Sequence, residues 1–112
     1  MAHDFDAQRK DTFATFAELS SDHGLPDEAD IDYFLVPGSD SADWRPLADA
    51  LSNAGYACEW IEAAAPDEAA YLVATLAETA VTAMSIWIGE EVATKEGLAH
   101  GFTPDGWGLY GA

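Results

Sequence analysis

Apolar and polar positions alternate with two different periods along this chain, and the changes of period mark the elements. From Asp4 to His23, Phe5, Arg9, Phe13, Phe16 and Ser20 fall at helical spacing, and Phe13, Phe16 and Ala17 make a narrow apolar stripe. Asp4 or Asp6 suits the positive end of that helix and can accept its first free N–H groups. Gly24 and Pro26 end it. Asp27-Glu28-Ala29-Asp30 reads as an acidic loop, and Ile31 to Val36 as a strand bounded by Pro37-Gly38. Ile31, Tyr33 and Leu35 share one face of that strand, Phe34 and Val36 the other. With apolar groups on both faces, a central strand covered at least partly on both sides is expected.

Between Ser39 and Ala54 the period lengthens again, with Trp44, Leu47, Ala48 and Leu51 on one side. Proline lacks an N–H and clashes with the preceding turn, so Pro46 belongs to the first turn, with Ser41 or Asp43 as cap. Tyr56 to Glu62 alternates: Tyr56, Cys58 and Trp60 face one way, Ala57, Glu59 and Ile61 the other. After a short turn at Ala64-Ala65-Pro66-Asp67, the alanines of Glu68 to Ala77 suggest helix, but Tyr71-Leu72-Val73 and the turn favour a hairpin partner strand. Thr79 is the expected cap of the longest helix, running to about Ala99. Val81, Met84, Ile88, Val92 and Lys95 form its stripe, with Trp87 and Leu98 beside it, and Gly89 weakens its interior. Phe102 to Tyr110 is a last strand interrupted by glycines.

The order is therefore helix, then strand–helix–strand–strand–helix–strand. That is a split pair of β-α-β units: an α+β, ferredoxin-like βαββαβ sandwich with an extra N-terminal helix. Two right-handed crossovers would interleave four strands into one antiparallel sheet with helices on a face. At 112 residues without an internal repeat or linker, residues 1–112 read as a single domain.

Charge changes the picture more than length does. Twenty-one acidic side chains stand against four basic ones, Arg9, Lys10, Arg45 and Lys95, a net charge of −17. Phosphates need Lys or Arg, so direct binding of nucleic acid or an anionic membrane is disfavoured, and a basic partner or cation is favoured. With 49% hydrophobic residues the chain can still build a core. Met1-Ala2-His3-Asp4 lacks the apolar run of a signal peptide, and no window approaches a membrane span of about 20 apolar residues, so the expected location is cytoplasmic.

Candidate chemistry is sparse. His3, His23 and His100 stand alone, and Asp30-Ile31-Asp32 lacks the glycine and distal glutamate of a calcium loop, so no metal or cofactor site is expected. Cys58, the sole cysteine, sits in a strand among tryptophans, as a buried packing cysteine does. No Gly-x-Ser-x-Gly or phosphate-cradling loop is present, so no catalytic residue is assigned and the chain is not expected to be an enzyme. The acids from Asp27 to Asp32 either form a solvated loop or meet a cation or basic peptide. Trp44, Trp60 and Trp87 read as core. Trp107, between two glycines, serves equally well as core or as contact.

Several of these segments together resemble the regulator of ribonuclease activity B family, protein inhibitors of the endoribonuclease RNase E. They are the acidic N-terminal helix, Asp32-Tyr33-Phe34-Leu35, Ser41-Ala42-Asp43, Ala54-Gly55-Tyr56, and Asp105-Gly106-Trp107-Gly108 followed by Tyr110. The family fold is ferredoxin-like, in agreement with the element order. The resemblance implies a binding protein whose partner is the Arg-rich, non-catalytic region of RNase E or of another RNA-processing protein, and which alters RNA decay. Asp27, Glu28, Asp30 and Asp32 are the expected electrostatic contacts, with Asp105, Trp107 and Tyr110 as the expected anchoring motif. Two further readings are a module binding a small molecule or cation, and a homo-oligomer joined through an exposed face of Tyr33, Trp60 and Tyr71.

Overall fold

The computed structural model describes residues 3–22, 24–39, 41–65 and 68–110, with Tyr110 described by its backbone alone. His23 and the turn residues Pro66 and Asp67 lie outside the described residues. The elements are α1 (Phe5–Asp22), β1 (Glu28–Pro37), α2 (Trp44–Asn53), β2 (Ala57–Ile61), β3 (Tyr71–Ala80), α3 (Ala83–Ala99) and β4 (Phe102–Tyr110). The strands form one sheet in the order β2-β3-β1-β4. Every neighbouring pair is antiparallel. The connection β1–α2–β2 passes over β3, and β3–α3–β4 passes over β1. This interleaving is the expected ferredoxin-like α+β arrangement, with α1 added in front.

Local chemistry accounts for the boundaries. Asp4 caps α1 by accepting a hydrogen bond from the Ala7 N–H at 3.0 Å. Asp43 caps α2 through the Arg45 N–H, which leaves Pro46 in the first turn where its missing N–H costs nothing. Leu47 and Leu51, four apart, are fully buried from that helix. Three expectations need correction. Glu28, Ala29 and Asp30 belong to β1 rather than to a loop, because they pair with Ala80, Thr79 and Tyr110. Thr79 lies in β3, and the cap of α3 is Thr82, whose hydroxyl accepts from the Ser85 N–H. The cause is a bulge in β3: Glu78 takes φ 50°, and the strand continues to Ala80. Finally, α1 is the longer helix, 18 residues against 17 for α3.

The largest correction concerns α3. Its expected core stripe is in solvent: Met84, Ile88 and Val92 are 46%, 55% and 37% exposed. The buried side consists of Ile86, Trp87, Gly89, Glu90, Ala93, Thr94 and Gly97. The helix lies so close to the sheet that a Cβ on Gly89 would clash with the Tyr33 hydroxyl and come within 2.8 Å of Leu76 Cδ1. Tyr33 donates its hydroxyl proton to the Ile86 carbonyl at 2.8 Å, and Tyr56 donates to the Gly89 carbonyl at 2.5 Å. Small residues face the sheet because closeness and buried hydroxyl bonds replace side-chain bulk there. Gly89 is thus a packing requirement rather than a weak point.

The core is the helix-facing side of the sheet: Ile31, Tyr33, Leu35, Leu72 and Ala74, with Leu47, Leu51, Ile86 and Phe102 packed on them. Trp44 stacks on Trp60 at 5.6 Å, and Trp60 meets the edge of Phe102, so the two expected core tryptophans pack half-buried against the core. All helices lie on this one side. β1 is the expected central strand, flanked by β3 and β4, but its second face is covered only in part: Asp32, Phe34 and Val36 are half-buried, on a face that no described helix covers. No helix of the described residues is long and apolar enough to cross a membrane.

Candidate functional site: the open face of the sheet

Strand alternation builds this site. With Ile31, Tyr33 and Leu35 turned to the helices, Asp30, Asp32, Phe34 and Val36 must point the other way. Register adds Tyr71, Val73 and Thr75 from β3 and Ala57, Glu59 and Ile61 from β2 on the same side. All of these but Val36 line a shallow hollow of about 480 Å³. The rings of Phe34 and Tyr71, both lining it, meet edge to face at 6.0 Å. Thr75 donates to Asp32 Oδ1 at 2.6 Å, and the Glu78 N–H donates to Asp30 Oδ1 at 3.0 Å, so both carboxylates are oriented rather than free to swing. A second hollow of about 600 Å³, lined by Val36, Pro37, Ser39, Ala70 and Asp105 among others, lies beside it.

The electrostatics of this face follow from where the cations are. Arg9 and Lys10 are on α1, Arg45 on α2 and Lys95 on α3, so none of the four strands contains a basic residue. Arg45 pairs with Asp43 and Lys95 with Glu91, both on helices. Asp30, Asp32 and Glu59 therefore share a surface with two aromatic rings and no internal cation. Carboxylates beside exposed ring faces suit ammonium and guanidinium groups, which gain from both.

The expected contact residues separate into groups. Asp30 and Asp32 lie in the hollow, and Asp105 borders the neighbouring one. Asp27 and Glu28 are exposed at the start of β1. Trp107 is on the opposite side: it pairs with Tyr33 in register and packs, half-buried, against the core. The Asp-Gly-Trp-Gly motif has a backbone reason. β4 carries an extra residue between Pro104 and Trp107, and Gly106 takes the φ of 98° that this bulge needs. Tyr110 pairs with Asp30 through its backbone. The self-association surface does not exist as a unit, since Tyr33 is 1% exposed and Trp60 packs on the core, while Tyr71 is on the open face.

Two features escaped the sequence reading. Phe34 and Glu59 stand in the sequence only as strand residues and Tyr71 is grouped there with Tyr33 and Trp60, although alternation from Asp30 and Asp32 groups Phe34 with them. Glu90 is the other. It is 5% exposed, accepts a hydrogen bond from the Thr12 hydroxyl, and lies beside the chain from His3 through Gln8 to Thr94. Burial pushes its carboxyl above the usual carboxylate range, opposed by hydrogen bonds from Thr12 and Gln8. Glu90, Thr12, His3, Asp11 and Trp107 line a separate cleft of about 460 Å³ between α1 and β4.

Burial likewise raises the Cys58 thiol, which keeps it protonated and a poor nucleophile. Tyr56 is pushed up to about 12 by burial, as expected for a hydroxyl that serves as a donor to backbone. Among the described residues no group of three or more His, Cys, Asp or Glu is placed to hold a metal ion. No protein-family model matches this chain, and no curated protein matches it.

Proposed function

We propose that this chain is an acidic regulatory binding protein that holds an Arg-rich, non-catalytic segment of an RNA-degrading enzyme of the RNase E kind on the open face of its sheet. In this reading it works in the cytoplasm and has no catalytic role of its own. The supporting observation is the cation-free face on which Asp30, Asp32 and Glu59 surround Phe34 and Tyr71. The resemblance of its sequence to regulator of ribonuclease activity B proteins points the same way. A basic segment laid on this face is withdrawn from RNA, because both ligands compete for the same positive charges.

The test is calorimetric titration with a synthetic Arg-rich peptide from an RNase E scaffold region, at low and high salt. Binding should weaken steeply as salt screens the carboxylates. The double variant Asp30→Asn/Asp32→Asn should lose about tenfold in affinity, near 1.4 kcal/mol. In a competition assay the protein should displace RNA from the peptide. Absence of binding at low salt, or binding indifferent to both aspartates, contradicts the reading.

A further inference from the structure

A second surface is uncovered on the opposite side of the molecule. Among the described residues the exposed large hydrophobics are Met84, Ile88, Val92 and Leu98, and all four are on α3. Met84, Ile88 and Val92 are four residues apart, so they fall in one row about 12 Å long. Ile88 and Val92 also form one wall of a groove of about 340 Å³, whose other walls include Tyr56 and Leu76. A row of apolar side chains beside an apolar groove is the shape that receives the apolar face of a helix.

Charge decides between occupants. A second copy would bring a net charge of −17 against −17. The borders of the row are acidic. Glu91 lies three residues on from Ile88 and Glu96 four on from Val92, the spacings at which helix side chains are neighbours. Lys95, the lone cation of α3, is engaged with Glu91 at 3.8 Å. A complementary partner therefore has apolar side chains at helical spacing flanked by Lys or Arg.

We propose that the exposed row of α3 and its groove dock a basic amphipathic helix of another protein. This surface is independent of the open sheet face, from which the sheet separates it, so either can fail without the other.

The experiment uses two labelled peptides of about 18 residues, five helical turns. One is an amphipathic helix of Leu and Lys, the other its Leu and Glu counterpart. Each is titrated by fluorescence anisotropy into the wild-type chain, Ile88→Ser, Val92→Thr and Asp30→Asn/Asp32→Asn. Ile88 and Val92 are exposed, so their variants should keep the wild-type urea midpoint. The Leu/Lys peptide should bind, about tenfold more weakly to Ile88→Ser, less so to Val92→Thr, and unchanged to the aspartate variant. The Leu/Glu peptide should not bind. Affinity that follows the aspartates and ignores Ile88 overturns the proposal, as does equal binding of both peptides or binding of neither. Sedimentation showing a concentration-dependent dimer lost in Ile88→Ser would assign the surface to a second copy and overturn it too.

Discussion

The two faces of one sheet are built from alternate residues of the same strands, and they differ in almost every property. On β1, Ile31, Tyr33 and Leu35 are 0–1% exposed and locked under the helices, while Asp30, Asp32 and Phe34 between them are half-exposed. The covered face is apolar, and its buried hydroxyls are spent on helix carbonyls. The open face has oriented carboxylates and two rings with no helix above them. Because side chains alternate with a period of two, a strand can hold stability on its odd positions and recognition on its even ones. Substitutions one residue apart should then fail in different assays.

The sharpest version compares Leu72 with Val73 on β3. Leu72→Ala removes a side chain that is 0% exposed and should cost about 2–5 kcal/mol in urea denaturation. Val73→Ala, on the open face, should cost about 1 kcal/mol or less. Equal costs would mean that something covers the open face. Next in size is Gly89→Ala. Helix propensity alone favours alanine by about 1 kcal/mol, yet the added methyl meets Tyr33 and Leu76, and overpacking of about 1–3 kcal/mol should prevail. A stabilised variant would show that α3 sits farther from the sheet.

Glu90 probes the covered side by pH. Its folded carboxyl is raised above its unfolded value, so its contribution is fully present below the unfolded value, near 4.3, and is lost as pH rises through the folded one. The wild-type chain should therefore lose urea stability relative to Glu90→Gln as pH rises above the unfolded value of about 4.3. A constant difference between the two would remove Glu90 from the account. The smallest effect on stability belongs to Asp32→Asn. It weakens the Thr75 contact on a half-exposed position and should cost about 1 kcal/mol or less while reducing affinity for an Arg-rich peptide.

Much of the fold was legible because hydrophobic alternation and turn residues agree along most of the chain. The seven elements, their order and the faces of β1 and β2 follow from the spacing of residues such as Tyr33, Leu35, Cys58 and Trp60. The failures share a cause: packing partners decided them, not local pattern. β1 reaches back to Glu28 because β3 and β4 pair with it there. The buried side of α3 was misread because close approach to the sheet selects glycine, alanine and threonine, which periodicity of large apolar residues does not detect. Of the candidate site, Asp30 and Asp32 were legible as charge, and Asp105 only as part of the terminal Asp-Gly-Trp-Gly motif. Their grouping with Glu59, Phe34 and Tyr71 needed strand register. Trp107 was ambiguous because a bulge, not a contact, accounts for its glycine neighbour Gly106.

The most direct test of the central claim is an amide NMR titration of the ¹⁵N-labelled chain with an Arg-rich synthetic peptide, repeated at raised salt. The account predicts shifts at Asp30, Asp32, Phe34, Glu59, Tyr71 and Val73 that shrink as salt increases, with the amides of α1 and α2 unmoved. Shifts confined to the helices, or none even at low salt, would contradict it.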